Sequence, residues 1–338
     1  MIYQPNNLLV TGGAGFIGAN FIHHVLKTEP QIKIINLDKL TYAGSLDNLK
    51  NLPQAERHHF IQGDIKDAHL VNHLLLHHHI DTIVHFAAES HVDRSIASPS
   101  AFIETNINGT FTLLEAARHH WLTIEECDPR TRRFHHISTD EVFGSLNAND
   151  PAFTEITPYQ PRSPYAASKA SSDHLVRAYY HTYGLPITIS NCSNNYGPYQ
   201  HAEKFIPTII RACMKQEKIP VYGNGKNIRD WLYVKDHCEA IMKILKMGKL
   251  GESYNVGGHN EIENVELAGI ICDLLNKLRP QDTYYRDLIH FITDRKGHDF
   301  RYAIDTSKIQ RELHWSPRES FNTGIEKAIA FYLRQLGA

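Results

Sequence analysis

Leu8-Leu9-Val10-Thr11-Gly12-Gly13-Ala14-Gly15-Phe16-Ile17-Gly18 decides the fold. A short apolar run passes directly into glycines at 12, 15 and 18, and an amphipathic helical pattern over 16–28 follows. Lacking side chains, Gly12 and Gly15 let the backbone turn tightly and approach a pyrophosphate, whose charge a helix N-terminus favours; Gly18 lets helix and strand pack closely. Alone, such a loop is weak evidence. Its context strengthens it, because the next strand-like run ends at Asp38, twenty residues after Gly18. A carboxylate there accepts hydrogen bonds from the adenosine ribose hydroxyls and repels a 2′-phosphate. NAD is therefore expected in preference to NADP.

Outward from this unit, apolar β-branched runs at 7–11, 33–38, 58–63, 82–87, 133–139 and 186–192 alternate with helical patterns at 16–28, 67–78, 100–120 and 165–183. That alternation predicts the α/β class, a doubly wound parallel Rossmann-type sheet covered on both faces. After Asn191 the pattern turns irregular, with turns at Tyr196-Gly197-Pro198-Tyr199 and Tyr222-Gly223-Asn224-Gly225. We expect a NAD-binding domain over 1–191 with a return segment at about 227–257, and a smaller, irregular substrate-binding domain from 192–226 and 258–338.

Bulk composition removes other classes. Among 338 residues 21% are charged, with a formal net charge of -2 and both signs spread along the chain, so no nucleic-acid partner is expected. No stretch has the length and apolarity to span a bilayer, and Met1-Ile2-Tyr3-Gln4-Pro5 has no basic or long apolar leader character, so a cytoplasmic enzyme is expected. Five cysteines at wide separations, without a C-x-x-C pair, read as reduced thiols. The 23 histidines include His77-His78-His79, but adjacent residues on a helix end point apart and H-E-x-x-H is absent. They read as solvated or half-buried, and no metal is expected.

Tyr165 and Lys169, at i and i+4 in a helical stretch after Pro161 and Pro164, share one helix face. A free tyrosine with a pKa of about 10 is a poor base near neutrality, but a neighbouring ammonium and a positive nicotinamide both favour its phenolate. Tyr165 can then take a hydroxyl proton while hydride leaves the same carbon. The fifth strand delivers Thr139-Asp140-Glu141 at the carboxyl end of the sheet. Consecutive strand residues face opposite ways, so two neighbouring carboxylates can address one substrate only if the backbone leaves strand form at about Asp140; Gly144 suits such an exit. An adjacent pair of differing pKa supplies one acid and one base, which is what expelling a hydroxyl beside a newly formed ketone requires.

The Gly-x-x-Gly-x-x-Gly spacing resembles the short-chain dehydrogenase/reductase superfamily in its extended form. Ser138-Thr139-Asp140-Glu141-Val142, Tyr-x-x-x-Lys, Ala88-Glu89-Ser90-His91-Val92-Asp93 and Arg229-Asp230-Trp231-Leu232-Tyr233-Val234 together resemble the dTDP-glucose 4,6-dehydratase family over nearly the whole chain. That resemblance implies a redox-neutral loss of water from dTDP-glucose, with Asp140 protonating the departing water, Glu141 removing the C5 proton, Tyr165 handling the O4 proton and Thr139 holding the reacting hydroxyl. For the cofactor it implies Gly12, Gly15, Phe16, Ile17, Gly18, Asp38, Lys39, Leu40, Thr41, Asp64, Ile65, Phe86, Ala87, Ala88, Ser90, Thr105, Tyr165, Lys169 and Asn195. Asp64 reads equally as a cap of the following helix. For the nucleotide sugar it implies Ser90, Thr139, Asn194, Lys204, Phe205, Pro220, Tyr222, Arg229, Asn264, Arg295 and His298, Lys204 and Arg229 being cations suited to a diphosphate. It also implies a homodimer formed through helices around 100–120 and 165–183.

Three departures from the family pattern stand out: Phe143 stands where Tyr is usual, His201-Ala202 replaces Phe-Pro, and Lys296 and Phe300 interrupt Arg-Pro-Gly-His-Asp-Arg-Arg. They are expected around the nucleotide side. A nucleotide-sugar 4-epimerase shares the fold, NAD and Tyr165/Lys169 but needs no acid/base pair at C5 and C6. A non-catalytic NAD sensor needs neither Tyr165 nor the carboxylates. A GDP-mannose dehydratase has Ser in place of Asp140 and prefers NADP, against which Asp38 argues.

Overall fold

The computed structural model describes residues 2–337. Its strands are β1 (Asn7–Thr11), β2 (Lys33–Asp38), β3 (His58–Gln62), β4 (Thr82–His85), β5 (Arg133–Thr139) and β6 (Ile187–Cys192). The later ones are β7 (Asn194–Tyr196), β8 (Ile219–Tyr222), β9 (Ile228–Tyr233), β10 (Ser253–Val256), β11 (Glu261–Glu263) and β12 (Ile289–Ile292). Seven of them form one sheet in the order β10-β6-β5-β4-β1-β2-β3, every neighbouring pair parallel. Strands β4, β5 and β6 are buried along their whole length, as a sheet covered on both faces requires. Helices Phe16–Thr28 and Val234–Met247 cover one face through Phe21, Ile22, Val25, Cys238 and Ile241. Ala68–His77, Thr110–Ala117 and Pro164–Tyr183 cover the other through Val71, Leu74, Leu113, Leu114 and Val176. The order reverses between β1 and β4, and a ligand crevice opens at the carboxyl ends of such a pair.

The helix expected over 100–120 is less regular and longer. It runs as Ser100–Phe102, a π-helical turn Ile103–Gly109, Thr110–Ala117 and a second π turn Arg118–Ile124. The second turn seats Trp121 in the core, its indole N–H donating to the Ile80 carbonyl at 2.9 Å. The first places Asn106 against the cleft, where it accepts the Glu89 N–H at 2.9 Å and donates to Ser168 Oγ at 2.8 Å.

Strand β9 does not return to the large sheet. It pairs parallel with β7 and antiparallel with β11, so the return begins after Tyr233, with helix Val234–Met247 and β10. Strands β8 and β12 pair parallel nearby, and Tyr196, Ile209, Trp231, Ile271 and Ile325 join one core beneath these small sheets. Helix Ser307–Leu313 comes back to β10, Ile309 and Leu313 packing with Tyr254 and Val256.

Several histidines are not solvated as expected. His85, His135, His136 and His237 are buried, three of them within the sheet, and neighbouring hydroxyls satisfy two of the sheet rings: His85 bridges Thr11 Oγ1 and Thr110 Oγ1, and His135 bridges Thr188 Oγ1 and Ser190 Oγ. Among the described residues no helix is long and apolar enough to cross a membrane, and no group of three or more His, Cys, Asp or Glu side chains is placed to hold a metal ion.

Candidate active site

A cleft of about 570 Å³ lies across the carboxyl ends of β1, β4, β5 and β6. Gly12 turns out of β1 at φ +73°, and a Cβ there would lie 2.6 Å from the Ala87 nitrogen. A Cβ on Gly18 would lie 2.3 Å from the Gly12 carbonyl oxygen. The first helical bond after the turn is Ala19 N–H to Gly15 O at 2.9 Å, so the N–H groups of Phe16, Ile17 and Gly18 stand at the open end of the helix. Asp38 closes this end of the cleft. Its two carboxylate oxygens accept the Ala14 N–H at 2.9 Å and the Leu40 N–H at 2.8 Å, and each keeps a lone pair for a ligand hydroxyl. Burial raises its pKa against the pull of those two N–H groups. Lys39, Thr41, Asp64, Ile65, Phe86, Ala87, Ala88, Ser90, Thr105 and Asn195 line the same cleft, whereas Leu40, at φ +56°, contributes backbone behind it. Asp64 does not cap the following helix; that cap is Asp67, accepting the Leu70 N–H at 3.0 Å, while Asp64 pairs with Lys39 at 2.9 Å. These features fit a dinucleotide: an unfilled helix N-terminus, a Cβ-free approach and an acid at the far end.

The catalytic half is built at the end of β5. The strand stops at Thr139, and Asp140–Phe143 form a 3₁₀ turn capped by Thr139 Oγ1, which accepts the Glu141 N–H at 3.3 Å. The chain leaves at Gly144, φ +97°, where a Cβ would stand 2.6 Å from the Gln160 carbonyl. The departure from strand form that two neighbouring acids need is therefore present at residue 140, and both acids, with Thr139, line the cleft. Helix Pro164–Tyr183 starts with Ser163 accepting the Ala166 N–H and with Pro164 in its first turn, which brings Tyr165 to the cleft wall.

The two acids sit in unequal surroundings. Asp140 is 2% exposed; burial first, then the Glu141 and Asp230 charges, push its pKa well above the carboxylate range. One of its oxygens accepts from Thr139 Oγ1 at 3.3 Å and the other has no partner. Burial also raises Glu141, but the Arg295, Arg229 and Lys204 charges pull it back. Burial thus raises both carboxyls, and neighbouring negative charges add to the shift at Asp140 while three cations oppose it at Glu141. At Tyr165 burial, then the Glu141 charge, raise the phenol well above 10, with the Thr139 side chain opposing. Lys169 does not line the cleft. Its Nζ donates to the Ile137 carbonyl at 2.8 Å and lies 3.4 Å from His136 Nε2.

On the side away from Asp38, Asn194 and Lys204 line the cleft, Lys204 donating to the Ser90 carbonyl at 3.0 Å. Tyr222, Arg295 and His298 form a separate cluster: Tyr222 OH donates to Asp93 at 3.2 Å, Arg295 lies 3.7 Å from the same carboxylate, and His298 packs edge-on against Tyr222. Arg229 is 5% exposed and stacked 4.2 Å from the Tyr302 ring centroid, its guanidinium already donating to the Ile228, Asp299 and Phe300 carbonyls. It faces the carboxylates as a buried positive charge. Phe205, Asn264 and the exposed Pro220 lie outside the cleft wall.

A family model described as GDP-mannose 4,6 dehydratase matches residues 9–328. The dTDP-glucose 4,6-dehydratase of Shigella flexneri is 52% identical, over 96% of this chain and 92% of that protein. The chain belongs to the dTDP-glucose 4,6-dehydratase family. Among solved structures, the dTDP-glucose 4,6-dehydratase DesIV from Streptomyces venezuelae, with NAD and TYD bound, superposes with a TM-score of 0.89 at 45% identity, covering 98% of each chain. The UDP-glucose 4-epimerase of Thermotoga maritima with UDP-glucose shares the fold at a TM-score of 0.85 and 25% identity, over 98% of this chain and 99% of that one.

Against the family pattern, the departures separate. Phe143 is buried, stacked on Phe153 at 5.2 Å and edge-on to Tyr159 at 5.1 Å, so it belongs to packing beneath the turn rather than to the nucleotide side. His201 lines the cleft beside Gln200 and packs edge-on against Tyr42. Sequence reasoning did not find Asp93, Asn106, His136 or Asp173. Each has partners distant in sequence; only Asp173, four residues beyond Lys169 on the same helix, carried a local spacing that could have found it.

Proposed function

We propose that this chain is an NAD-dependent hydro-lyase that removes water from dTDP-glucose to give dTDP-4-keto-6-deoxyglucose. The observation that carries this reading is the capped turn that presents Asp140 and Glu141, one acid with an unpartnered carboxyl oxygen and one faced by cations, beside Tyr165. When bound, NAD would supply the redox chemistry, taking up hydride from C4 in its oxidised form and giving it back to C6 from the reduced form so produced. Gly12, Gly15, Gly18, Asp38 and the loop at Ala87-Ala88 would hold it, with Lys169 and Asn195 toward the nicotinamide.

The protein groups then divide the proton transfers. Tyr165 takes the O4 proton, Thr139 fixing the hydroxyl. Glu141 removes the C5 proton, which the C4 ketone has made acidic. Asp140 gives its proton to the C6 oxygen, which leaves as water, and Glu141 returns a proton to C5 as C6 is reduced. Lys204, Arg295 and Tyr222 would meet the nucleotide diphosphate, with Ser90, Asn194, Phe205, Pro220, Asn264 and His298 around the nucleotide sugar and Arg229 supporting from behind the carboxylates. A 4-epimerase needs no acid and base at C5 and C6, so the pair Asp140/Glu141 favours dehydration over that shared fold. We further propose a cytoplasmic homodimer joined through helices near 100–120 and 165–183, and a division into a NAD-binding part over 1–191 with its return segment and a nucleotide-sugar-binding part from the remainder.

The test is direct. Purified protein incubated with dTDP-glucose yields a product lighter by one water in mass spectrometry. Unchanged mass with inverted C4 would support the epimerase and end this reading.

A further inference from the structure

Tyr165, Lys169 and Asp173 follow one another at four-residue steps on a single face of helix Pro164–Tyr183. The first lines the cleft, the second is 4% exposed and the third is wholly buried. An ammonium so deep needs a counter-charge. Asp173 Oδ1 lies 3.2 Å from His136 Nε2, and that same ring nitrogen lies 3.4 Å from Lys169 Nζ, so the imidazole stands between cation and anion. The other oxygen of Asp173 accepts from Ser138 Oγ at 2.7 Å, Tyr159 OH at 2.9 Å and Asn191 Nδ2 at 3.3 Å. Donors from three further elements thus fix the carboxylate.

We propose that Asp173 is the built-in counter-charge of Lys169, a positioning residue that acts through His136 to keep the lysine protonated and aimed, and so sets the pH range over which Tyr165 works. The inference rests on the roles given to Tyr165 and Lys169 above.

The surrounding groups leave this task to Asp173. From other elements Lys169 is faced by His136 on β5, His85 on β4 and the Cys192 thiol on β6. Burial favours the neutral form of all three, lowering both histidines and raising the thiol to about 12. Asp140 and Glu141 lie beyond Tyr165, whose phenol they oppose. Arg177, the cation on the same helix, is occupied with Tyr159 OH at 3.1 Å and Ser253 Oγ at 2.7 Å. Burial lowers the pKa of Lys169, and Asp173 is the first group that opposes this. Burial opposes ionisation of Asp173, yet the approach of His136, the charge of Lys169 and the Ser138 hydroxyl outweigh it.

The test is the pH dependence of turnover in Asp173→Asn, nearly the same shape without the charge. With the counter-charge gone, Lys169 loses its proton at lower pH, so the alkaline limb of kcat moves down by about one pH unit or more, while KM changes less than about twofold. A uniform fall of kcat at every pH, with both limbs in place, would overturn the proposal. In a Lys169→Met background Asp173→Asn is expected to cause no further loss of kcat; an additional tenfold loss would also overturn it. Should Asp173→Asn fail to fold, NMR of ¹⁵N-labelled lysine in the unsubstituted holoenzyme decides: Lys169 is expected as an ammonium at pH 8, and a neutral amine there is the contrary result. Absence of turnover in the unsubstituted enzyme would instead strike the proposed function, so the two failures are distinct.

Discussion

Thr139 and Glu141 are bound to each other through the turn to which we assign the acid and the base: the Glu141 N–H donates to Thr139 Oγ1 at 3.3 Å, and the same oxygen donates to Asp140 at 3.3 Å. One hydroxyl therefore shapes the turn and also lines the cleft. Thr139→Ser retains both roles and should keep most activity. Thr139→Val, similar in shape, loses the cap at about 1 kcal/mol of stability and should lower kcat by about 10²-fold. Steady-state kinetics with thermal melts check this; a Val variant as active as the Ser variant would remove Thr139 from the site.

Glu141→Gln keeps the shape and removes the base. Turnover should fall by about 10²–10⁴-fold, and exchange of the C5 proton with deuterated solvent should stop while NAD stays bound. Proton NMR of the sugar reads the exchange and absorbance of the released cofactor reads the occupancy. Retained exchange would move the base elsewhere.

Asp140 opposes its own fold at neutral pH. Its carboxyl is raised in the folded state by burial, then by the Glu141 and Asp230 charges. The stability it contributes is therefore complete below the unfolded value of about 3.9 and is lost as pH rises toward the folded one. Asp140→Asn has no such proton. It should melt near the unsubstituted protein at about pH 4 and progressively above it toward pH 8, while dehydration slows by about 10²-fold. A melting difference that is flat across this range would contradict the buried-acid reading.

At Gly12 two constraints coincide, a φ of +73° and a 2.6 Å approach of any Cβ to the Ala87 nitrogen. Gly12→Ala should cost about 1–3 kcal/mol in backbone strain and widen the gap between β1 and β4, so that the protein purifies with little NAD. A mutant with full NAD content would show that the close approach is dispensable.

The legible parts were those fixed by local rules. The β1 turn was readable because glycine spacing, the left-handed conformation at Gly12 and the helix that follows lie within a dozen residues. The exit at residue 140 was readable because strand alternation forbids two neighbouring acids from sharing a face. Strands β7, β8, β11 and β12 were not, since runs of three or four residues take their form from partners far along the chain. Arg229 has the residue type of a phosphate ligand, but its place is decided by Tyr302 and the Asp299 carbonyl, some seventy residues later. The raised phenol of Tyr165 escaped because burial, which no spacing reports, is its largest cause.

The capped turn at Asp140–Phe143 has a consequence for ancestry. Because the proposed acid and base occupy neighbouring positions in a single turn, the proposed step from carbinol oxidation to loss of water rests on two adjoining codons. The dinucleotide half of the molecule, shared in fold with a 4-epimerase, needs no revision for that step. Thr139, which caps the turn, and Gly144, where the chain leaves it, are therefore the positions on which that placement depends.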